Sequence, residues 1–437
     1  MPGLRHRLRH RLRHWLHRRL RHWLHRRLRP GRFALLDALL HTQSLSRREV
    51  LHKQQQDLVA ILAHARQHTA YYAERLNGAS IDAQPILTKE DIRQHLPDLL
   101  VNGADRSQVK LGHTGGSTGQ PLAFWYDDAK HELMRAGMCR SYMMSGWRPG
   151  EKILNFWGAR QDTQIGGVFN AGWTDFIAAE KTIAACEYTE RQLHEWATIV
   201  RAYQPVLLQG YASVLAEFAR FCLATRQAPP KTLRGVYSTA EVLGAEQRAL
   251  IEQAFGCKVF NQYGCREIPN IACECRHGRM HIFTDMVYLE TPDDERLIVT
   301  SLTNRLMPFI RYDLGDSGQL LDDACACGSP FPLLAMGLCR HNDIIRTASG
   351  KSLHPSYFNR LLAHLPQIRQ YQCIQSAPDQ LTLHLVVDEK LPAGMATNLR
   401  ARIASDLDAR MNITLNYVGE IPRTASGKHR YVINESH

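Results

Sequence analysis

From residue 33 onward the chain carries two hydrophobic rhythms in succession. Apolar positions in 33–40 and in about 46–76 recur every three to four residues, the spacing of a helix with one buried face. Ser46 followed by Glu49 gives the second helix a capping box. Residues 77–110 read as a loop with a short helix after Thr88. From 111 a Gly-rich loop leads into the strand-like run 122–126 and a helix over about 129–145. Short apolar runs at 152–157, 206–209, 234–238 and 258–262 then alternate with helical stretches at 190–203, 213–226 and 244–255. Residues 166–176 read as a loop. Strands alternating with helices of this length predict a parallel α/β sheet. After 278 the runs shorten to 281–283, 286–290 and 296–300, a β-rich subdomain. From about 341 a smaller α+β unit follows, with helices at 355–364 and 393–411 and strands at 369–374, 381–387 and 413–418. The expected organisation is an arm over 1–30, a large domain over 31–340 and a mobile C-terminal domain over 341–437, with a hinge near 338–344.

The arm obeys a different rule. Leu stands at every fourth position from Leu4 to Leu28, and the octad Arg-His-Trp-Leu-His-Arg-Arg-Leu occurs twice in tandem, at 13–20 and 21–28. A helix turns about 100° per residue, so a period of four drifts by roughly 40° per step and no single face stays apolar. Trp15 and Trp23 widen the stripe, and Pro30-Gly31 ends any helix. Three readings fit: an interfacial helix on anionic lipid, a nonspecific anionic-polymer arm, or a disordered low-complexity extension. In composition the arm also resembles an Arg-rich organellar presequence.

Charge belongs to that arm. Residues 1–29 hold 11 Arg, no Lys and no acid, which leaves about +1 of the net +12 for the remaining 408 residues. The body is nearly neutral, and nothing in it calls for specific nucleic acid. No apolar run reaches the roughly 20 residues of a membrane span, and no apolar core follows the basic start as in a secretory signal. The expected location is cytoplasmic, with the arm allowing a peripheral position on the inner membrane face. The 11 cysteines are then reduced, and clustered ones suit metal better than disulfides.

The chemistry starts at Thr114-Gly115-Gly116-Ser117-Thr118-Gly119. Its glycines let successive N–H groups face one anion, and its hydroxyls add donors. Four segments follow in order: Tyr263-Gly264-Cys265-Arg266-Glu267, Arg311 to Asp316, Arg340 to Gly350, and Pro422 to Lys428. This series resembles the adenylate-forming superfamily of acyl-CoA synthetases and adenylation domains, and most of all its phenylacetate–CoA ligase-like branch, over about residues 50–434.

The resemblance implies an enzyme that uses ATP and Mg²⁺ to convert a carboxylic acid to an acyl-AMP, releasing pyrophosphate. The acyl group then passes to the thiol of CoA or of a phosphopantetheine carrier protein. It implies that Thr114 to Gly119 hold phosphates and that Ser238, Ala240 and Glu241 lie along the adenine edge. Tyr263 beside Gly264 would pack on adenine, Glu267 would bind Mg²⁺, and Asp316 would grip the ribose. Arg340 would reach ribose and phosphate, and Lys428 would be the mobile catalytic lysine. The pattern departs at Gln120, Arg266 and Cys339, and the hinge acid is either displaced to Asp343 or replaced by Asn342.

Two Cys-rich segments fit a tetrahedral Zn²⁺ site. By likeness its ligands are Cys275, His281, Cys325 and Cys327, with Cys273 as a substitute. The acid pocket implied by the family draws on Trp157, Phe169, Trp173, Tyr211 and Tyr237, which suits a hydroxybenzoate- or hydroxycinnamate-like acid. Transfer to an amine or hydroxyl, and an inactive scaffold tethered by the arm, are the alternatives. A homodimer is compatible with either.

Overall fold

The computed structural model describes residues 2–437 apart from 77–79, 115–121, 158–172, 186–187, 293–295, 341–344, 348, 350–351, 354–355, 363–364, 366, 423–429 and 436–437. Side chains are described from residue 15 onward, excepting 173–175, 338–340, 346, 352–353, 356 and 359–360.

The chain begins with helices α1 (Pro2–Leu28) and α2 (Pro30–Gln43), separated at Arg29 with Pro30 opening the second. The arm is therefore helical, and the reading of it as a disordered extension does not hold. The helix expected over 46–76 is two, α3 (Arg47–His68) and α4 (Ala70–Arg75). The break is at Thr69, whose extended backbone ends one helix while its hydroxyl accepts from Tyr72 N and starts the next. Ser46 and Glu49 form the capping box of α3. Thr88 and Asp91 form another on α5 (Lys89–His95).

The hairpin β1 (Lys110–His113) and β2 (Ala123–Tyr126) is antiparallel and precedes α6 (Asp128–Met143). The central sheet begins with β3 (Ile153–Trp157), β4 (Glu180–Ala184), β5 (Leu207–Tyr211), β6 (Gly235–Thr239) and β7 (Lys258–Tyr263), all parallel. It continues antiparallel through β8 (Ala272–Glu274), β9 (Met280–Ile282), β10 (Val287–Glu290), β11 (Arg296–Ser301), β12 (Tyr312–Leu321) and β13 (Leu333–Arg340). The order is β10-β11-β12-β13-β9-β8-β7-β6-β5-β3-β4. Helix α7 (Trp173–Ala178) replaces the end of the loop expected to 176 and leads into the edge strand β4.

Strands β5 and β6 are buried along their whole length, as expected of parallel strands covered on both faces. One face is covered by α8 (Glu190–Tyr203), α9 (Ala212–Ala224) and α10 (Ala245–Phe255), which bury Trp196, Phe218 and Phe255 against Phe156 and Leu208. The other face packs against a second core that includes Phe33, Tyr72, Tyr142 and Phe283. Within that core Arg140 is paired with Asp285, Nη1 to Oδ2 at 2.5 Å and Nη2 to Oδ1 at 3.0 Å. Its guanidinium lies 3.9 Å from the centroid of the Phe283 ring.

Beyond β13 the chain forms a separate core. Strands β14 (Ile345–Arg346) and β15 (Ser352–Leu353) pair, followed by α11 (Ser356–Leu362). A four-stranded sheet orders β18 (Asn412–Tyr417), β17 (Gln380–Val387), β16 (Ile368–Ala377) and β19 (Val432–Asn434), with α12 (Ala393–Asp406) packed on it. Among the described residues, no helix is long and apolar enough to cross a membrane.

Candidate active site

Because β3, β5, β6 and β7 run parallel, their carboxyl ends lie along one edge, where open α/β sheets bind ligands. At the end of β6, Ser238 is buried with its hydroxyl unpartnered among the described residues. Ala240 follows in the left-handed region (φ +70°), which turns the chain. Glu241 then accepts from Ser213 N at 2.8 Å and from Ser213 Oγ at 3.1 Å, a carboxylate placed in the first turn of α9. Glu241 thus ties β6 to α9 through its side chain.

At the end of β7 the chain doubles back. Gly264 sits where a Cβ would come within 2.8 Å of Asn270 N, so only glycine fits that turn. The turn buries Glu267, whose Oε1 accepts from the Tyr312 hydroxyl at 3.0 Å. Lys130 of α6 donates to the Glu267 carbonyl at 2.7 Å, and burial pushes its ammonium pKa down to about 8. A cavity of about 20 Å³, room for one water, is lined by Lys130, Glu267 and Ser301 among others. Neither Tyr312 nor Lys130 is assigned a role by the sequence. Tyr312 lies inside the Arg311 to Asp316 segment, which was a usable signal; Lys130 carries none.

The hairpin meets this turn. Arg266 Nη1 donates to the His113 carbonyl at 3.0 Å. Thr114 N donates to Leu122 O at 2.8 Å, and Leu122 N donates to Thr114 Oγ1 at 2.9 Å. These bonds pair Thr114 with Leu122 at the neck of the Gly-rich segment and tie His113 to Arg266, the neighbour of Glu267 in sequence. Gly115, Gly116, Ser117, Thr118 and Gly119 lie outside the described residues.

The Tyr263 hydroxyl donates to Asp316 Oδ2 at 2.9 Å. Asp316 is the register partner of Arg340 across β12 and β13, so the backbone brings together the two residues expected at the ribose. Lys428 lies outside the described residues. Tyr431, three residues on, accepts from Gln247 Nε2 at 2.9 Å in the first turn of α10, at the same edge of the sheet.

The aromatic set divides. Trp157 and Tyr211, at the ends of β3 and β5, meet edge to face at 5.2 Å. Phe169 falls outside the described residues, and for Trp173 only the backbone in α7 is described. Tyr237 is not with them. Its ring is sealed in the core against Tyr142, its hydroxyl lies 2.8 Å from Cys273 Sγ, and burial holds its pKa well above the usual phenol value.

Below the antiparallel half of the sheet, the ligand atoms of Cys275, His281, Cys325 and Cys327 lie within 4.8 Å of one another. Cys275 and Cys325 each start a tight turn closed by a glycine three residues on. Gly278 N donates to the Cys275 carbonyl at 2.9 Å and Gly328 N to the Cys325 carbonyl at 3.1 Å, both glycines having φ above +70° or at it. The two sulfurs are 3.7 Å apart, close to the edge of a tetrahedron with metal–sulfur bonds of about 2.3 Å. His281 Nδ1 donates to the Phe331 carbonyl at 3.1 Å, which turns Nε2 toward Cys327 Sγ at 3.2 Å. Cys273, although the register partner of His281, is not in this group; its sulfur is engaged by the Tyr237 hydroxyl at 2.8 Å.

Comparison with known proteins shows what the chain is similar to. Residues 345–435 match the family model described as the CapK C-terminal domain. The chain is 25% identical to the phenylacetate–coenzyme A ligase of Thermus thermophilus, over 90% of this chain and 98% of that protein. It is 24% identical to protein CapK of Staphylococcus aureus, over 83% and 82%. The crystal structure of 2-hydroxyisobutyryl-CoA ligase in complex with R3-HIB-AMP has the same fold, with a TM-score of 0.69 and 19% identity over 90% and 91% of the two chains. The chain is thus similar to phenylacetate–coenzyme A ligase and to CapK over most of its length, and it shares the fold of 2-hydroxyisobutyryl-CoA ligase.

Proposed function

We propose that this protein is an adenylate-forming acid–thiol ligase that activates an aryl carboxylic acid, of the hydroxybenzoate or hydroxycinnamate kind, as its acyl-AMP and passes the acyl group to CoA. The observation that carries the reading is the convergence of Tyr263, Glu267, Asp316 and the neck of the Gly-rich segment at one edge of the sheet. Asp316 would accept from the ribose hydroxyls, and Tyr263 would lie against adenine while orienting Asp316. Thr114 to Gly119 would receive the phosphates. Glu267 is a buried carboxylate beside a water-sized cavity, a donor that suits Mg²⁺ with retained water. Bound there, Mg²⁺ would lower the charge repulsion between acid and triphosphate.

Lys428 would supply the positive charge that meets the developing α-phosphate charge, a contribution of several kcal/mol for a preorganised group. The unit from 345 to 434 has its own core and would swing Lys428 away before the thiol attacks. The edge-to-face pair Trp157 and Tyr211 supports a flat acid. A carrier-protein phosphopantetheine is the second acceptor to test, because it presents the same thiol. The Cys275, His281, Cys325 and Cys327 group would hold a structural Zn²⁺, since all four positions are protein ligands.

The test is pyrophosphate release with ATP and Mg²⁺ against a panel of aryl and alkyl acids, with wild type beside Lys428→Ala and Glu267→Gln. Aryl-dependent release, lost by about 10²-fold or more in each variant, is the expected result. Release with alkyl acids alone would overturn the aryl assignment, and no release with any acid would leave a tethered scaffold.

A further inference from the structure

The arm docks with the wrong side inward for an ordinary amphipathic helix. From residue 15 to 28, the buried and half-buried positions are His17, Arg18, Arg21, His22, Leu24 and His25. The solvent-facing ones are Trp15, Leu16, Arg19, Leu20, Trp23, Arg26, Arg27 and Leu28, with Trp15 44% and Trp23 56% exposed. Polar side chains make the attachment. His25 Nε2 donates to the Ile177 carbonyl of α7, and His17 meets Phe176 edge to face at 5.4 Å. Arg21 is buried over the same Phe176 ring. Arg26 grips Asp37 of α2 through two bonds of 2.8 and 2.9 Å. The body has a place for this helix: a Cβ on Gly150 would come within 2.7 Å of the Arg18 carbonyl.

The tandem repeat sorts by role. His17 and His25 are equivalent in the two octads, and both face the body. Trp15 and Trp23 are equivalent, as are Arg19 and Arg27, and all four face solvent. Each arginine lies over the tryptophan one turn before it, Arg19 at 4.6 Å from the Trp15 ring and Arg27 at 5.7 Å from the Trp23 ring. At about 100° per residue, Trp15, Leu16, Arg19, Leu20, Trp23 and Arg27 fall within an arc of about 140°.

We propose that this outer face of α1 is a docking surface for an anionic lipid bilayer and holds the enzyme flat against it. Tryptophan and leucine enter the boundary between headgroups and acyl chains, while arginine stems run along them and pair with lipid phosphates. Charge selects the partner. The arm has 11 Arg and no acid, so a second copy of this face would repel it. A polyanion would be served by the arginines alone and gives no reason for the solvent-facing tryptophans. Because the inner face is fixed to α2 and α7, the bilayer would fix the orientation of the body as well as its location.

The test uses the full chain and sedimentation with vesicles of phosphatidylcholine, alone or with phosphatidylglycerol, together with quenching of tryptophan emission by acyl-brominated lipid. Binding to the anionic vesicles with bromine quenching is expected. Trp15→Ala/Trp23→Ala should weaken partitioning by about ten-fold or more and remove the extra quenching. Both tryptophans are exposed, so pyrophosphate release should be unchanged and certifies the fold. Three results would overturn the proposal. They are no partitioning at physiological salt, partitioning abolished by Arg19→Gln/Arg27→Gln but indifferent to the tryptophans, or self-association through the tryptophan face without lipid.

Discussion

The hydroxyl of Tyr263 donates to Asp316 Oδ2 at 2.9 Å, joining the last residue of β7 to the middle of β12. The bond crosses the place where the sheet changes from parallel to antiparallel. It fixes which way the carboxylate faces. If Asp316 grips the ribose as proposed, Asp316→Ala should raise the KM for ATP about ten- to a hundred-fold, the scale of losing charge-assisted bonds. Tyr263→Phe keeps the ring and removes one neutral donor, so it should cost less than about ten-fold. Pyrophosphate-exchange kinetics decide it, and equal losses in the two variants would mean that the internal bond, not the ribose contact, is the important one.

The Cys275, His281, Cys325 and Cys327 group makes a prediction about metal content. The purified protein should carry about one zinc per chain by elemental analysis. Cys325→Ser/Cys327→Ser should lose the metal and lower Tm, because binding energy at a structural site is folding energy. Cys273→Ser should keep it, since that sulfur is engaged by Tyr237. Zinc retained in the first variant would exclude this site as its home.

Arg140 and Asp285 form a fully buried ion pair, 0% and 3% exposed at their side chains. Removing one partner of such a pair leaves a stranded charge, at a cost of about 3–5 kcal/mol. Asp285→Ala should show that loss in denaturant unfolding. Arg140→Met/Asp285→Leu should recover much of it, because neither charge is then left alone. A single variant within 1 kcal/mol of wild type would show that water reaches Arg140, and about 1 kcal/mol is the scale of an exposed pair.

What could be read from the sequence follows from which physical signal each element carries. Strands β3, β5, β6 and β7 are short apolar runs bounded by polar turns, and the residues that end them carry the recognisable motif at Tyr263 to Glu267. Strand β4 was missed because Glu180-Lys181-Thr182 has no apolar alternation; its Glu180 is spent on Arg135 at 2.6 Å and Asn155 at 2.8 Å instead. Strand β12 was missed because Asp313, Gly315, Asp316, Ser317 and Gly318 break up its apolar alternation. The metal group was legible because sulfur and imidazole at fixed spacing have few other uses. Tyr237 was misplaced because an aromatic residue reads alike whether it faces a pocket or the opposite core. The attitude of the arm was hidden because a period of four leaves no single apolar face; the His25 bond to Ile177 and the close approach at Gly150 decide the docking.

The docked arm should respond to acid. Burial, the largest influence, lowers the pKa of His25 below its usual 6.5, and the neighbouring Arg21 and Arg32 lower it further. The Ile177 carbonyl and Glu180 act the other way. Burial likewise lowers His22, with Arg26, Arg18 and His25 adding to it and Asp37 opposing. A histidine whose folded pKa lies below its unfolded value contributes its full share to docking above pH 6.5 and loses it as the pH falls through and below that value. Hydrogen exchange of residues 15–28, corrected for intrinsic rates, should therefore be slow at pH 7.5 and clearly faster at pH 5.5, while β5 and β6 stay protected at both. His22→Gln/His25→Gln should flatten the response. Protection of the arm that is the same at both pH values in the wild type would show that Arg26 and Asp37, not the histidines, hold α1 to the body.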